Sequence, residues 1–168
     1  MKKTTSLHWS DLKSETMNSK EYLENSKPIA LQNYEDYVPK IEVIDEIRKF
    51  IDDKEEVIKT LVIGADWCPD CNVNTPKMIQ VRDKLNKEKI ELKILYGVKV
   101  KAIRKKGERY WHKTKSPPEA VDPKFDLNKI PTIYFFNKEG NYLGRIVENP
   151  RVNSTIEEDM LEILKKEL

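Results

Sequence analysis

Cysteine and histidine are scarce in this chain, with two of each among 168 residues. So few thiols exclude a disulfide-stapled scaffold. Zinc is disfavoured with them, because a closed zinc site takes four nitrogen or sulfur ligands, and His8 and His112 lie far apart in sequence. No metal or cofactor is implied. Long apolar runs are also missing: nothing approaches the ~20 residues that span a bilayer. Met1-Lys2-Lys3 is basic, but polar Thr4, Thr5 and Ser6 follow where a secretory leader would turn apolar. Charge of one sign is not in excess, the formal net charge being +2. That balance gives no reason to expect a membrane or a nucleic-acid partner. There are no internal repeats. A soluble cytoplasmic protein is expected, with one domain, some extensions and a modest core.

What the chain does have is Trp67-Cys68-Pro69-Asp70-Cys71, which holds both cysteines at the spacing of a reversible dithiol. In a reducing cytosol such a pair is catalytic or metal-binding rather than a staple. The apolar run Leu61-Val62-Ile63-Gly64-Ala65 precedes it, so residues 58–65 read as a strand. A helix follows to about Lys87, with Val73, Met78, Ile79, Val81 and Leu85 as its apolar positions. The first sulfur then sits at a helix N-terminus, where unpaired N–H groups and the dipole favour a thiolate. The Asp70 carboxylate opposes this by like-charge repulsion.

The rest of the chain frames that unit. Trp9, Leu12, Met17, Tyr22 and Leu23 suit a short N-terminal helix, and Ile29-Ala30-Leu31 suits a first strand. From Ile41 to Ile51, Ile44, Ile47 and Ile51 repeat at helical spacing. Ile90, Leu92, Ile94 and Leu95 make a strand, which completes a βαβ unit with parallel strands. Residues 99–118 crowd Lys99, Lys101, Arg104, Lys105, Lys106, Arg109, Lys113 and Lys115 into an exposed basic insertion. Glu119 to Leu127 is a short helix at most. Ile133–Phe136 and Tyr142–Val147 flank a hairpin loop. Ser154 with Glu157 fits a capping box for a last helix, whose apolar face holds Ile156, Met160, Ile163 and Leu164.

From about Ile41 to Leu168 the chain resembles the thioredoxin family. Trp67 precedes the first cysteine as the family's tryptophan does. Pro76, five residues after Cys71, matches the family's helix-kinking proline, and Ile130-Pro131-Thr132 matches its Ile-Pro-Thr. The resemblance implies an α/β thioredoxin fold: a mixed central sheet flanked by helices on both faces, with residues 1–40 as an N-terminal extension packing on the domain. It implies a cis Pro131 facing the dithiol, Cys68 as nucleophile and Cys71 as resolving thiol. It also implies substrate contacts at Trp67, Pro69, Asp70, Ile130, Pro131 and Thr132, although Trp67 also reads as a core aromatic.

Three departures follow from the same comparison. Val62 stands where the family buries an aspartate, and its neighbour on the next strand is Ile94 rather than Lys93. The proton carrier for Cys71 is then Asp70 or water. The family's glycine in the substrate groove is replaced by Val147-Glu148-Asn149-Pro150. A thiol–disulfide oxidoreductase acting on protein or small disulfides is expected, reduced by a dedicated reductase or a low-molecular-weight thiol. The competing reading is a redox-switched binding module whose basic insertion, with Tyr110, Trp111 and His112, takes an anionic partner. The insertion also reads as plain solvated surface.

Overall fold

The computed structural model describes residues 7–103, 106 and 110–168. Arg104, Lys105 and Arg109 of the basic insertion lie outside them. A four-stranded sheet forms the centre, built from β1 (Ile58–Ile63), β2 (Ile90–Leu95), β3 (Thr132–Phe136) and β4 (Tyr142–Val147). Its order is β2-β1-β3-β4, with β1 parallel to β2 and the other neighbours antiparallel. The crossover between the parallel strands is α4, Pro69–Lys84, which ends at Lys84 rather than near Lys87. The other α-helices are α1 (Ser19–Asn25), α2 (Pro28–Asp36), α3 (Ile41–Asp53) and α5 (Ile156–Glu167).

Side chains alternate across the central strands. Ile58 and Val62 of β1 and Ile133 and Phe135 of β3 join one cluster, together with Ile44 and Ile47 of α3, Met78 and Ile79 of α4 and Met160 and Leu164 of α5. Leu61, Ile63, Tyr134 and Phe136 join the other. That second cluster is covered by Leu7, Trp111, Ala120, Phe125 and Leu127. Helical elements lie over both clusters, since 3-10 turns at Trp9–Asp11 and Pro118–Ala120 belong to the second. Residues 119–127 form no longer helix than that turn.

The N-terminal region departs from expectation. Ile29-Ala30-Leu31 is helical, not a strand. Pro28 occupies the first turn of α2, where its fixed φ and missing N–H cost nothing. Only Ala30 of the three is buried, against α4, while Ile29 and Leu31 face solvent. The expected helix through Trp9 to Leu23 is three pieces: the first 3-10 turn, an isolated bridge from Met17 to Ile94, and α1. Asn18 caps α1 through a reciprocal box with Glu21.

The last helix is also capped one residue later than expected, by Thr155 with Glu158. Ser154 bonds Asp159 instead, and Glu157 is buried, accepting from the Tyr37 hydroxyl and the Lys40 N–H. The insertion is not wholly exposed. Trp111 is buried and its indole N–H donates to the Leu127 carbonyl at 2.6 Å. Val100 pairs with Trp111, and the Ser116 hydroxyl closes on both the N–H and the carbonyl of Lys99.

Candidate active site

The C-terminal end of β1 delivers the chain to the dithiol through Gly64, Ala65, Asp66 and Trp67. Cys68 is the N-cap of α4, and its Sγ accepts the Cys71 N–H at 3.2 Å. Pro69 takes the first helical position, where no N–H is needed. Cys71, one turn in, is fully buried. Cys68 is also covered, only 5% exposed. Both cysteines are free thiols.

The two sulfurs are electrically unlike. The Cys71 thiol hydrogen-bonds to Cys68 and is the largest influence on it. With the N–H groups of Cys71 and Asp70 it brings the Cys68 pKa down to about 7, against burial and the charge of Asp70. Burial pushes the Cys71 thiol far up instead, and an ionised Cys68 adds to that. One sulfur is thus ready as a thiolate near neutral pH while the other keeps its proton.

Opposite Cys68 lies the turn before β3. The Ile130–Pro131 peptide bond is cis. As a thiol, Cys68 donates to the Ile130 carbonyl at 3.6 Å. Thr132 is fully buried and its hydroxyl donates to the Lys129 carbonyl at 2.7 Å, so its side chain shapes the turn from inside. The Glu148 N–H donates to the Pro131 carbonyl at 2.7 Å. Asn74 on α4 donates to the Glu148 carbonyl and to Asn149. The segment in place of the family's groove glycine is therefore pinned to both the proline turn and the cysteine helix.

Trp67 is 40% exposed, and its indole N–H donates to the Val98 carbonyl at 2.8 Å. This bond ties the rim of the dithiol to the start of the insertion. Pro69 is exposed and Asp70 half-buried beside it. The structure thus brings Trp67, Cys68, Pro69, Asp70, Cys71, Ile130 and Pro131 together at one end of the sheet. Below them Val62 is fully buried and pairs with Ile94, whereas Lys93 pairs with Leu61.

Sequence reasoning missed Tyr96, Thr75 and Tyr22, whose hydroxyls meet beside the dithiol. The parallel register gave a signal: one step beyond the Ile63–Leu95 pair, Gly64 faces Tyr96. Among the described residues, no group of three histidine, cysteine, aspartate or glutamate side chains converges as a metal site would. Nor does any helix among them have the length and apolarity to cross a membrane.

Residues 16–112 match the thioredoxin family model. Among solved structures the chain is similar to a Pseudomonas aeruginosa protein of unknown function, at 17% identity and a TM-score of 0.59, over 90% of this chain and 93% of that one. It is equally similar to an HIV epitope scaffold, at 19% identity and a TM-score of 0.59, again over 90% and 93%. At these identities the likeness is one of fold. No curated protein sequence matches. The family match spans more than half of the chain and includes the dithiol, and the fold agrees with it: the chain belongs to the thioredoxin family.

Proposed function

We propose that this protein is a thiol–disulfide oxidoreductase that works as a reductase. One observation carries the reading: Cys68 caps α4, its pKa is about 7, and it faces the Ile130–Pro131 turn while Cys71 stays protonated beneath it. The Cys68 thiolate attacks a substrate disulfide and forms a mixed disulfide, releasing one substrate thiol. The Cys71 sulfur then attacks Cys68, releasing the second substrate thiol and leaving a Cys68–Cys71 disulfide. An electron donor, either a reductase or a small thiol, restores the pair.

Extended substrate backbone lies along the turn at Ile130 and Pro131. Trp67 and Pro69 supply apolar contact, and Asp70 supplies charge at the rim. The substrate is a disulfide-bearing protein or a small disulfide, and the compartment is the reducing cytoplasm. Nucleic acid and membranes have no part in the reaction.

The two cysteines separate in a trapping experiment. Cys68→Ser abolishes disulfide reduction and forms no stable adduct. Cys71→Ser still attacks but cannot resolve, so covalent adducts with substrate accumulate until an external thiol frees them. Normal turnover by Cys71→Ser without added thiol overturns the mechanism. Oxidation without turnover in the unaltered protein would instead identify a redox switch.

A further inference from the structure

Cys71 is fully buried, and its sulfur cannot attack until the thiol proton has gone. Val62 beneath the dithiol offers no group to take that proton. Asp70 adds negative charge near both sulfurs. Two titratable groups from other elements interact electrostatically with Cys71: Tyr96, just past β2, and Tyr22, on α1.

These two tyrosines are organised around Cys71. Gly64 abuts both Cys71 and Tyr96: a Cβ there would lie 2.9 Å from the Cys71 Sγ and 3.0 Å from the Tyr96 ring. Glycine at this position lets sulfur and ring close on the same space. The Tyr96 hydroxyl donates at 2.8 Å to Thr75, which is fully buried one helical turn after Cys71. It also reaches the Tyr22 hydroxyl at 3.3 Å, with the two rings edge to face at 5.3 Å. Tyr22 and Tyr96 both line a cleft of about 250 Å³, bounded also by Asn25, Asp66, Asn72 and Lys99. Hydroxyls thus run from Thr75, one turn after Cys71, through Tyr96 to Tyr22 at the cleft.

We propose that Tyr96, with Thr75 and Tyr22, is the route by which the Cys71 proton leaves for this cleft while Cys71 resolves a mixed disulfide. The inference rests on the oxidoreductase reading above. Each hydroxyl accepts one proton on its oxygen and passes its own onward, so the tyrosines finish neutral and one proton reaches water. The Cys71 sulfur forms its bond to Cys68 with the electron pair left behind. The Cys68–substrate S–S bond breaks, and the substrate sulfur departs as a thiolate carrying two electrons. No further oxidant or reductant enters.

A chromogenic aromatic disulfide tests this on the full-length protein, because attack releases one aromatic thiolate and resolution releases a second. Tyr96→Phe keeps the ring and removes the hydroxyl. The first release and the alkylation of Cys68 are expected to keep their rates. The second release is expected to slow on the order of a hundredfold near neutral pH, the lower end of what positioned proton transfer contributes. The deficit shrinks in alkaline solution, where hydroxide takes the proton directly. A merely structural role would not produce that pH profile. A second release at the unaltered rate across the pH range overturns the proposal. Should Tyr96→Phe fail to fold, Tyr22→Phe decides: a slowed second release supports the route and an unaltered one overturns it. If the unaltered protein itself never gives the second release, the oxidoreductase reading fails instead.

Discussion

Cys68 and Asp70 share the first turn of α4, and their negative charges oppose each other. Hydrogen bonds from Cys71 and the helix start outweigh that repulsion, leaving the thiol near pH 7. Alkylation of Cys68 followed against pH is therefore expected to rise through a midpoint close to 7, with Cys71 unlabelled at neutral pH. Faster labelling of Cys71 would reverse the two roles. Asp70→Asn removes the repulsion and is expected to move the midpoint lower. A thiolate stabilised this moderately resembles that of thioredoxin, at about 7, more than that of DsbA, at roughly 3.5. The reduction potential should accordingly lie nearer about −270 mV than about −120 mV, and equilibration with glutathione measures it. A value above about −180 mV argues against a reductase. At this scale the spacing of the cysteines and the substitution at Val62 were legible, because both sit in contiguous motifs. Tyr96 and Tyr22 were not, because only strand register and the docking of α1 bring them to the dithiol.

Individual elements show where pattern reading works and where it stops. β1 to β4, α3 and α5 are legible because each is long enough to show its period. The capping box of α5 shifts by one residue because Ser154-Thr155 offers two hydroxyls, and Glu157 is drawn inward by Tyr37 and Lys40. The basic run of 99–118 hides its anchor in the same way, since one tryptophan among many lysines carries no period. Trp111→Ala is expected to destabilise the fold by about 3 kcal/mol, as large aromatic truncations in cores do. Replacing exposed Lys106 and Lys113 with serine should change stability by less than about 0.5 kcal/mol. Denaturant unfolding of the three variants compares them.

A second latch is Glu119, whose carboxylate accepts from the N–H groups of Lys13 and Ser14 and from the Ser14 hydroxyl. Burial raises its pKa, but these hydrogen bonds outweigh burial and hold it below its ordinary 4.5. Its contribution is therefore complete above 4.5 and fades as pH falls through the lower folded value. Hydrogen exchange at Lys13 and Ser14 should speed up in acid, and Glu119→Gln should speed it at neutral pH. Unchanged exchange in Glu119→Gln would show that other contacts hold the segment.

The whole molecule depends on a region that looked peripheral. Leu7, Tyr22 and Ala30 are buried in the two clusters, and Asn33 and Tyr34 of α2 bond to Asn72 and Asp83 of α4. Removing residues 1–36 is expected to uncover the back of the cysteine helix and lower the melting temperature, read by thermal unfolding. An unchanged melting temperature would make the region a detachable appendage.

The Met17–Ile94 bridge has a consequence for the protein in a crowd of its own copies. β2 is an outer strand of the sheet, and outer strands offer unpaired backbone groups to any extended chain nearby. Both the N–H and the carbonyl of Ile94 are taken by Met17, one residue before the end of β2. The preceding segment thus acts as a guard that denies strangers a continuous edge, and a chain that loses it would be expected to become sticky before it becomes inactive.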